Sequence, residues 1–103
     1  MVIEWLTFEM APEHRERFIQ ADTEIWTAAL SQYSGFVSKE IWIDPARENQ
    51  VTAVIRWSTR EAWKSIPGDA LEPVAQRFNQ ALEFDYEMVE SREFQVRRFP
   101  TTT

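Results

Sequence analysis

Three tryptophans on different predicted elements are the strongest candidates for a binding function. Trp5, Trp26 and Trp63 are each placed where a side chain can border the space between a sheet and its helices. Large aromatic side chains pack most often in protein cores, and core packing is the ordinary interpretation here. The alternative is an aromatic-lined pocket for a flat apolar small molecule, a kind of site found between packed layers. We therefore predict all three as ligand-binding residues.

His14 is the single histidine of the chain and has Glu13 and Glu16 close by in sequence. Its near-neutral reference pKa suits a general base if the ring faces a cleft, so His14 joins the ligand-binding candidates. The ordinary interpretation is a solvated side chain in the first turn of a helix. One imidazole with exposed carboxylates is a poor ligand set, and adjacent helical residues do not share a face. The sequence thus predicts no metal site and no cofactor.

Two pairs of opposite charges share strand faces, Glu40 with Arg56 and Glu90 with Arg92. If a second sheet buries them, they must pair, because an unpaired buried charge is very costly. We interpret these pairs as polar contacts that would fix the alignment of two copies of the sheet in a dimer. The alternative is that one of the carboxylates is catalytic. The chain shows no nucleophile–base–orienter set and no Gly-rich phosphate loop, so the sequence assigns no catalytic residue.

The composition narrows the classes of function. The chain has 103 residues, no cysteine, and 17 acidic against 11 basic residues, for a net charge of −6. An acidic surface disfavours nucleic-acid binding through phosphates, which needs clustered positive charge. No apolar run reaches the roughly 18 residues of a membrane span, and Glu4 interrupts the region where a signal peptide would be apolar. We expect a cytoplasmic protein with no membrane or nucleic-acid partner.

The apolar periodicity predicts a β-α-β-β-α-β order, the split βαβ pattern of ferredoxin-like α+β folds with an antiparallel sheet. Residues 1–99 form a single domain in this prediction, and residues 100–103 form a loose tail. Ser58 and Glu61 fit a capping box, and Gly35 is expected to end the first helix in the left-handed conformation. The predicted elements are a strand at 2–10, a helix from Pro12 to Gly35, strands at 36–43 and 50–57, a short helix through Ile66, a helix at 72–84 and a strand at 85–99.

The hairpin predicted from the strands at 36–43 and 50–57 has two unusual faces. Its odd positions are almost wholly apolar and suit a face covered by helices, apart from Lys39. Its even positions include Phe36, Trp42 and Val54, which an ordinary solvent face would seldom combine. A second copy of the sheet stacked on this face would explain them. We therefore expect a homodimer.

Two segments resemble the dimeric α+β barrel superfamily, which includes antibiotic-biosynthesis monooxygenase-like proteins and haem-degrading monooxygenases. They are Tyr33-Ser34-Gly35-Phe36 and the run from Ile55 to Trp63. The amino-acid sequences of the segments Ile3 to Phe8 and Trp57 to Pro67 are most similar to those of a small, functionally uncharacterised bacterial branch of this superfamily. The resemblance covers nearly the whole chain and implies a dimeric α+β barrel.

The resemblance also implies which residues of this sequence correspond to the site residues of superfamily members. Trp63 matches the tryptophan that cofactor-independent members use, whereas Thr59 and Asp69 stand where those members have Asn and Tyr. Pro73 stands where haem-degrading members have an axial His, and residues 2–10 lack their strand-one Asn, which argues against haem degradation. The implied function is a cofactor-independent monooxygenase-like activity on a small aromatic or polycyclic molecule. The alternative is a non-catalytic module that binds a small molecule or a protein.

Overall fold

A four-stranded antiparallel sheet forms one layer of the protein. The structure, a computed structural model, describes residues 1–98. Each strand carries β-branched or aromatic side chains, the types that fit a pleated and partly buried surface. The strands lie in the order β2-β3-β1-β4. Their bounds are β1 Val2–Glu9, β2 Phe36–Trp42, β3 Gln50–Trp57 and β4 Glu87–Gln95.

The helices form the second layer and pack on one face of the sheet. The first helical segment consists of a 3₁₀ turn at Pro12–His14, α1 Arg15–Asp22, a π-helical turn at Thr23–Thr27 and α2 Ala28–Leu30. The second connection contains α3 Arg60–Lys64 and α4 Gly68–Ala81. The observed order confirms the predicted ferredoxin-like α+β fold.

The core lies between β3 and the helices. Val51, Ala53, Ile55 and Trp57 are each at most 2% exposed, so the odd face of β3 is turned toward the helices as its alternation predicts. Phe18 packs against Phe78 with ring centroids 5.3 Å apart. This central strand therefore fixes the floor of the space beneath the helices.

The cap of α3 differs from the predicted capping box. The N-cap is Thr59, which is extended at φ −142° and ψ 157°. Its Oγ1 accepts a hydrogen bond from the Ala62 amide at 3.0 Å. The prediction that Ser58 caps this helix is therefore wrong by one residue, although the capping chemistry is the same. The cap sets the direction in which Trp63 leaves the helix.

Helix α4 begins earlier and ends earlier than predicted. It starts at Gly68 with Pro67 as its N-cap and ends at Ala81. Pro73 consequently lies in the second turn. Because proline has no N–H, the carbonyl of Asp69 receives no helical hydrogen bond from that position.

The last strand is shorter than predicted. It has nine residues, Glu87–Gln95, and the Val96 amide donates a further bond to the Met1 carbonyl at 2.9 Å. Phe99, the predicted end of the domain, and the predicted tail at 100–103 lie outside the described residues.

Gly35 is needed for space rather than for a left-handed backbone. Its φ is not positive, so the predicted left-handed conformation is wrong. A Cβ at this position would lie 2.4 Å from the Ala62 Cβ. The Gly35 carbonyl also accepts a bond from the Ser58 amide at 2.8 Å. Helix α3 and the start of β2 are thus held in direct backbone proximity.

The beginning of β2 breaks the predicted alternation of its faces. The register shifts between Phe36 and Ser38, which brings Phe36 to the helix side, 5.8 Å from the Trp57 ring. The prediction that Phe36 shares a face with Trp42 is therefore wrong. Val37, predicted inside, is 46% exposed for the same reason.

The sheet face opposite the helices, called the outer face below, carries Trp5, Trp42, Val54 and Phe94. The Trp5 ring lies edge-on to Trp42 at 5.6 Å and to Phe94 at 6.0 Å. Within residues 1–98 no helix covers this face, and Trp42 remains 44% exposed. The predicted apolar character of the face is therefore seen, although Phe36 does not contribute to it and Phe94 from the opposite edge strand β4 does. Within residues 1–98 no helix is long and apolar enough to cross a membrane.

Candidate ligand cavity

A cavity of about 620 Å³ lies between the sheet and the helices. Most of its wall is aromatic or aliphatic, and a few ionisable side chains enter it. Its size falls within the ordinary range for small-molecule sites, which are mostly apolar with a few placed polar groups. The lining residues are Glu4, Leu6, Phe8, Phe18, Asp22, Trp26, Leu30, Lys39, Ala53, Ile55, Trp57, Trp63, Lys64, Ile66, Leu71, Phe78, Tyr86, Met88 and Ser91.

Two of the predicted site residues, Trp26 and Trp63, line this cavity. Trp26 lies in the π-helical turn Thr23–Thr27, a distortion that often occurs at functional sites. Trp63 lies on α3, and the Lys64 Nζ is 3.9 Å from its ring centroid. The structure brings these two tryptophans to one space, and their binding of a ligand stays a prediction.

Trp5 is not in this space, so its predicted place beside the cavity is wrong. It pairs in register with Val54 and lies on the outer face of the sheet. Its Nε1 donates to the Glu90 Oε1 at 2.6 Å. The tryptophan of the sheet that does line the cavity is Trp57.

His14 also lies away from the cavity. Its ring stacks on Phe84, with centroids 4.2 Å apart and the two planes at 4°. The side chain is half-buried and is not among the cavity-lining residues. The predicted role of His14 as a base facing a cleft therefore does not apply to this cavity.

A buried ion pair contributes two charges to the cavity wall. The Lys39 Nζ lies 2.7 Å from the Asp22 Oδ2, and the two side chains are 3% and 5% exposed. Burial raises the pKa of Asp22, and the Lys39 ammonium opposes that rise. The pair links β2 to the last residue of α1 and places a dipole inside a mostly apolar wall.

Glu4 is the second carboxylate of the cavity. Its Oε1 accepts a hydrogen bond from the Trp57 Nε1 at 3.1 Å. Burial raises the pKa of Glu4, while the hydrogen bond from Trp57 and the charges of Lys64 and Lys39 lower it. A half-buried carboxylate with a raised pKa in an aromatic cavity is well suited to exchange protons with a ligand.

The sequence analysis missed Glu4, Asp22, Lys39 and Lys64, although three of them leave a signal. Lys39 interrupts the apolar odd face of the hairpin. Asp22 lies within the apolar stripe of the first helix, and Glu4 shares the parity of Leu6 on β1.

Charged residues at positions whose pattern predicts burial indicate either a pair or a site. Lys64, on the exposed side of a short helix, leaves no such signal. Within residues 1–98 the structure shows no group of three or more His, Asp or Glu side chains that could hold a metal ion.

The fold is shared with several solved structures at low sequence identity. A Deinococcus radiodurans protein, provisionally described as an antibiotic biosynthesis monooxygenase, matches with a TM-score of 0.73 and 17% identity over 100% of this chain and 99% of that chain. SnoaB from Streptomyces nogalater, described as a cofactor-independent oxygenase, matches with a TM-score of 0.69 and 20% identity over 95% and 94%. A conserved protein from Methanosarcina mazei Go1 matches with a TM-score of 0.62 and 12% identity over 92% of both chains.

The sequence itself decides the family. No curated protein matches this chain significantly. The family model described as antibiotic biosynthesis monooxygenase matches residues 1–66. That span contains β1, the first helical segment, the hairpin and α3 with Trp63. The chain belongs to the antibiotic biosynthesis monooxygenase family.

Proposed function

We propose that the cavity binds a flat aromatic or polycyclic molecule and that the chain oxygenates it without a cofactor. The observation that carries the proposal is the aromatic lining of a 620 Å³ cavity. Trp26 and Trp63 offer ring surfaces from two different helical segments. A flat ring system would exchange water for these surfaces and gain most of its binding energy from apolar burial.

The chemistry of such a reaction relies on the substrate. An electron-rich enolate reduces dioxygen, and a ring CH₂ becomes a carbonyl. One oxygen atom stays in the product, and the other leaves as water with the two hydrogens of the CH₂. The protein would contribute orientation, exclusion of bulk water and placement of protons. The family membership and the likeness to SnoaB, a cofactor-independent oxygenase, support this class of reaction.

A non-catalytic binding module is the second candidate. It is favoured by the residues at the two positions where cofactor-independent relatives are expected to have Asn and Tyr. Thr59 is engaged in capping α3, and Asp69 is exposed in the first turn of α4. Neither is among the cavity-lining residues, so this chain would bind a ligand there without these two partners.

A ligand screen on matched variants tests the binding proposal. Anthrone and flat quinones should raise the thermal midpoint of the wild type. The same compounds should stabilise Trp63→Phe less, since the smaller ring offers less contact. Trp42→Phe is the control, because Trp42 lies on the outer face. Failure of every compound to stabilise the wild type would contradict the aromatic-ligand proposal.

Oxygen uptake separates the two candidates. An oxygenase should consume dioxygen when anthrone is added and release the corresponding quinone. A binding module should show the thermal shift without oxygen consumption above the buffer rate. The second result would favour the non-catalytic alternative.

We also infer that a second copy of the chain covers the outer face. Its aromatic side chains are exposed, with Trp42 at 44% and Phe94 at 37%. Glu40 and Arg56 form an ion pair on the same face. A two-fold axis would bring the outer faces of two copies into contact, with aromatic and paired polar groups on both sides. A closed dimer requires such a self-complementary surface. The resemblance of the chain to the dimeric α+β barrel superfamily supports the same assembly.

A further inference from the structure

We propose that Glu4 accepts a proton from the ligand of the cavity. The ligand class is then narrower: a flat ring system with an acidic C–H or O–H conjugated to a carbonyl. This proposal rests on the proposed function, since it concerns a ligand of the same cavity. It assigns to Glu4 a step that comes before any oxygen chemistry.

The position of Glu4 is fixed by the sheet and by one indole. Glu4 lies on β1 with the same parity as Leu6 and Phe8, and all three line the cavity. The Trp57 Nε1 donates to Oε1 at 3.1 Å, and Trp57 is 0% exposed. A carboxylate oriented by a buried donor needs little rearrangement to meet a ligand. Within residues 1–98, Oε2 has no hydrogen-bond partner and remains free to accept.

The other carboxylates near the cavity are already engaged. Asp22 holds Lys39 at 2.7 Å. Glu93, the register partner of Glu4 on β4, holds Arg60 at 2.7 Å. Glu4 is the cavity-lining carboxylate for which no ion pair is found in the described part of the chain. It is therefore the group available to take up a proton without breaking a salt bridge.

The proton transfer is balanced within the cavity. The C–H or O–H bond of the ligand breaks, and the proton binds Oε2 of Glu4. The electron pair stays on the ligand as an enolate or phenolate. The nearby positive charge comes from Lys64, which lines the cavity beside Trp63. Attraction between that ammonium and the new oxyanion favours the ionised ligand, and the apolar wall strengthens it.

Burial also adjusts Glu4 for this role. Desolvation raises the pKa of Glu4 above its ordinary value, and the two lysines limit the rise. A carboxylate with a higher pKa is a stronger base while it remains ionised at neutral pH. The charged groups that face Glu4 from the surrounding elements are Lys39 on β2, Lys64 on α3, Asp22 on α1, and Glu93 on β4 with its partner Arg60.

Anaerobic hydrogen–deuterium exchange tests the assignment without any oxidation. Anthrone has an acidic ring CH₂, and its exchange in D₂O can be followed by proton NMR under nitrogen. We expect the wild type to accelerate the exchange and Glu4→Gln to lose about 100-fold or more of that acceleration, in the range for removal of a general base. The wild-type rate should rise with pH through the pKa of Glu4 and then level off.

Glu90→Gln is the matched control. Glu90 accepts an indole hydrogen bond from Trp5 as Glu4 does from Trp57, but on the outer face. Its exchange rate should equal that of the wild type. Glu4→Asp is a second variant that keeps the carboxylate but withdraws it by one methylene. It should bind anthrone, seen by quenching of tryptophan fluorescence, and exchange it more slowly than the wild type.

Unchanged exchange in both Glu4 variants, with anthrone still bound, would overturn the assignment of Glu4 and leave the cavity proposal standing. Absence of anthrone binding to the wild type would overturn both proposals.

Discussion

Replacement of Lys39 by methionine should destabilise the protein because it leaves the buried Asp22 carboxylate without its positively charged partner. Lys39→Met keeps most of the apolar stem and removes the ammonium that lies 2.7 Å from Asp22. The Asp22 side chain is 5% exposed, so water replaces the lost partner poorly. Breaking a buried pair from one side costs about 3–5 kcal/mol. That is a large part of the stability of about 5–15 kcal/mol usual for a domain.

The loss should depend on pH in a defined direction. Burial already raises the pKa of Asp22 in the folded protein, and loss of the Lys39 charge raises it further. The folded state then binds a proton more readily than the unfolded state, so stability increases as the pH falls. The deficit of Lys39→Met should be full at pH 8. It should shrink as the pH falls through the folded pKa of Asp22 toward its ordinary value of 3.8.

Urea unfolding followed by tryptophan fluorescence at pH 8 and pH 5 measures this deficit. Arg60→Met is the control, because Arg60 and Glu93 are also 2.7 Å apart but are 60% and 39% exposed. Exposed pairs contribute little, so the control should unfold nearly as the wild type does. The double variant Asp22→Asn/Lys39→Met should regain part of the loss. A deficit below about 1 kcal/mol, or one that is equal at both pH values, would refute the reasoning.

Two further predictions concern other parts of the fold. Gly35→Ala places a methyl group 2.4 Å from the Ala62 Cβ and should lower the free energy of unfolding by about 1–3 kcal/mol, measured by thermal or urea unfolding. Adding Ala62→Gly to this variant should restore most of the loss. Unchanged stability of Gly35→Ala would show that α3 moves away freely. Trp42→Arg should convert the dimer to monomers in sedimentation equilibrium, because the Trp42 side chain is 44% exposed on the outer face and a second copy could cover an unpaired charge there only at a large desolvation cost. A wild type that sediments as a monomer at micromolar concentration would contradict the proposed dimer itself.

The sequence predicts the strands and the order of elements because their signals are local. Alternation placed Val51, Ala53, Ile55 and Trp57 on one face of β3, and all four are buried there. The family resemblance pointed to Trp63, which does line the cavity. Periodicity and short motifs are therefore sufficient to predict the order of strands and helices in this protein.

The misplaced residues depend on register, which is not local. The sequence gives the parity of Trp5 on β1 but not the pairing with Val54 that turns it to the outer face. The shift between Phe36 and Ser38 reverses one side chain directly after Gly35, and the alternation of the strand residues does not indicate it. Similarly, the Asp22–Lys39 pair joins residues 17 positions apart on two elements. Each could be anticipated only once the sheet order was known.

Pro73 gives α4 two parts with different resistance to opening. The turn from Gly68 to Glu72 lacks the hydrogen bond that a residue with an N–H at 73 would supply, whereas Val74 and Phe78 anchor the later turns in the core. Amide hydrogens of the early turn should therefore exchange by local opening, and those near Phe78 only on wider unfolding. Leu71 lies in that early turn and lines the cavity. Local opening of this one turn would therefore loosen the Leu71 wall of the cavity while Val74 and Phe78 keep the later turns of α4 in place.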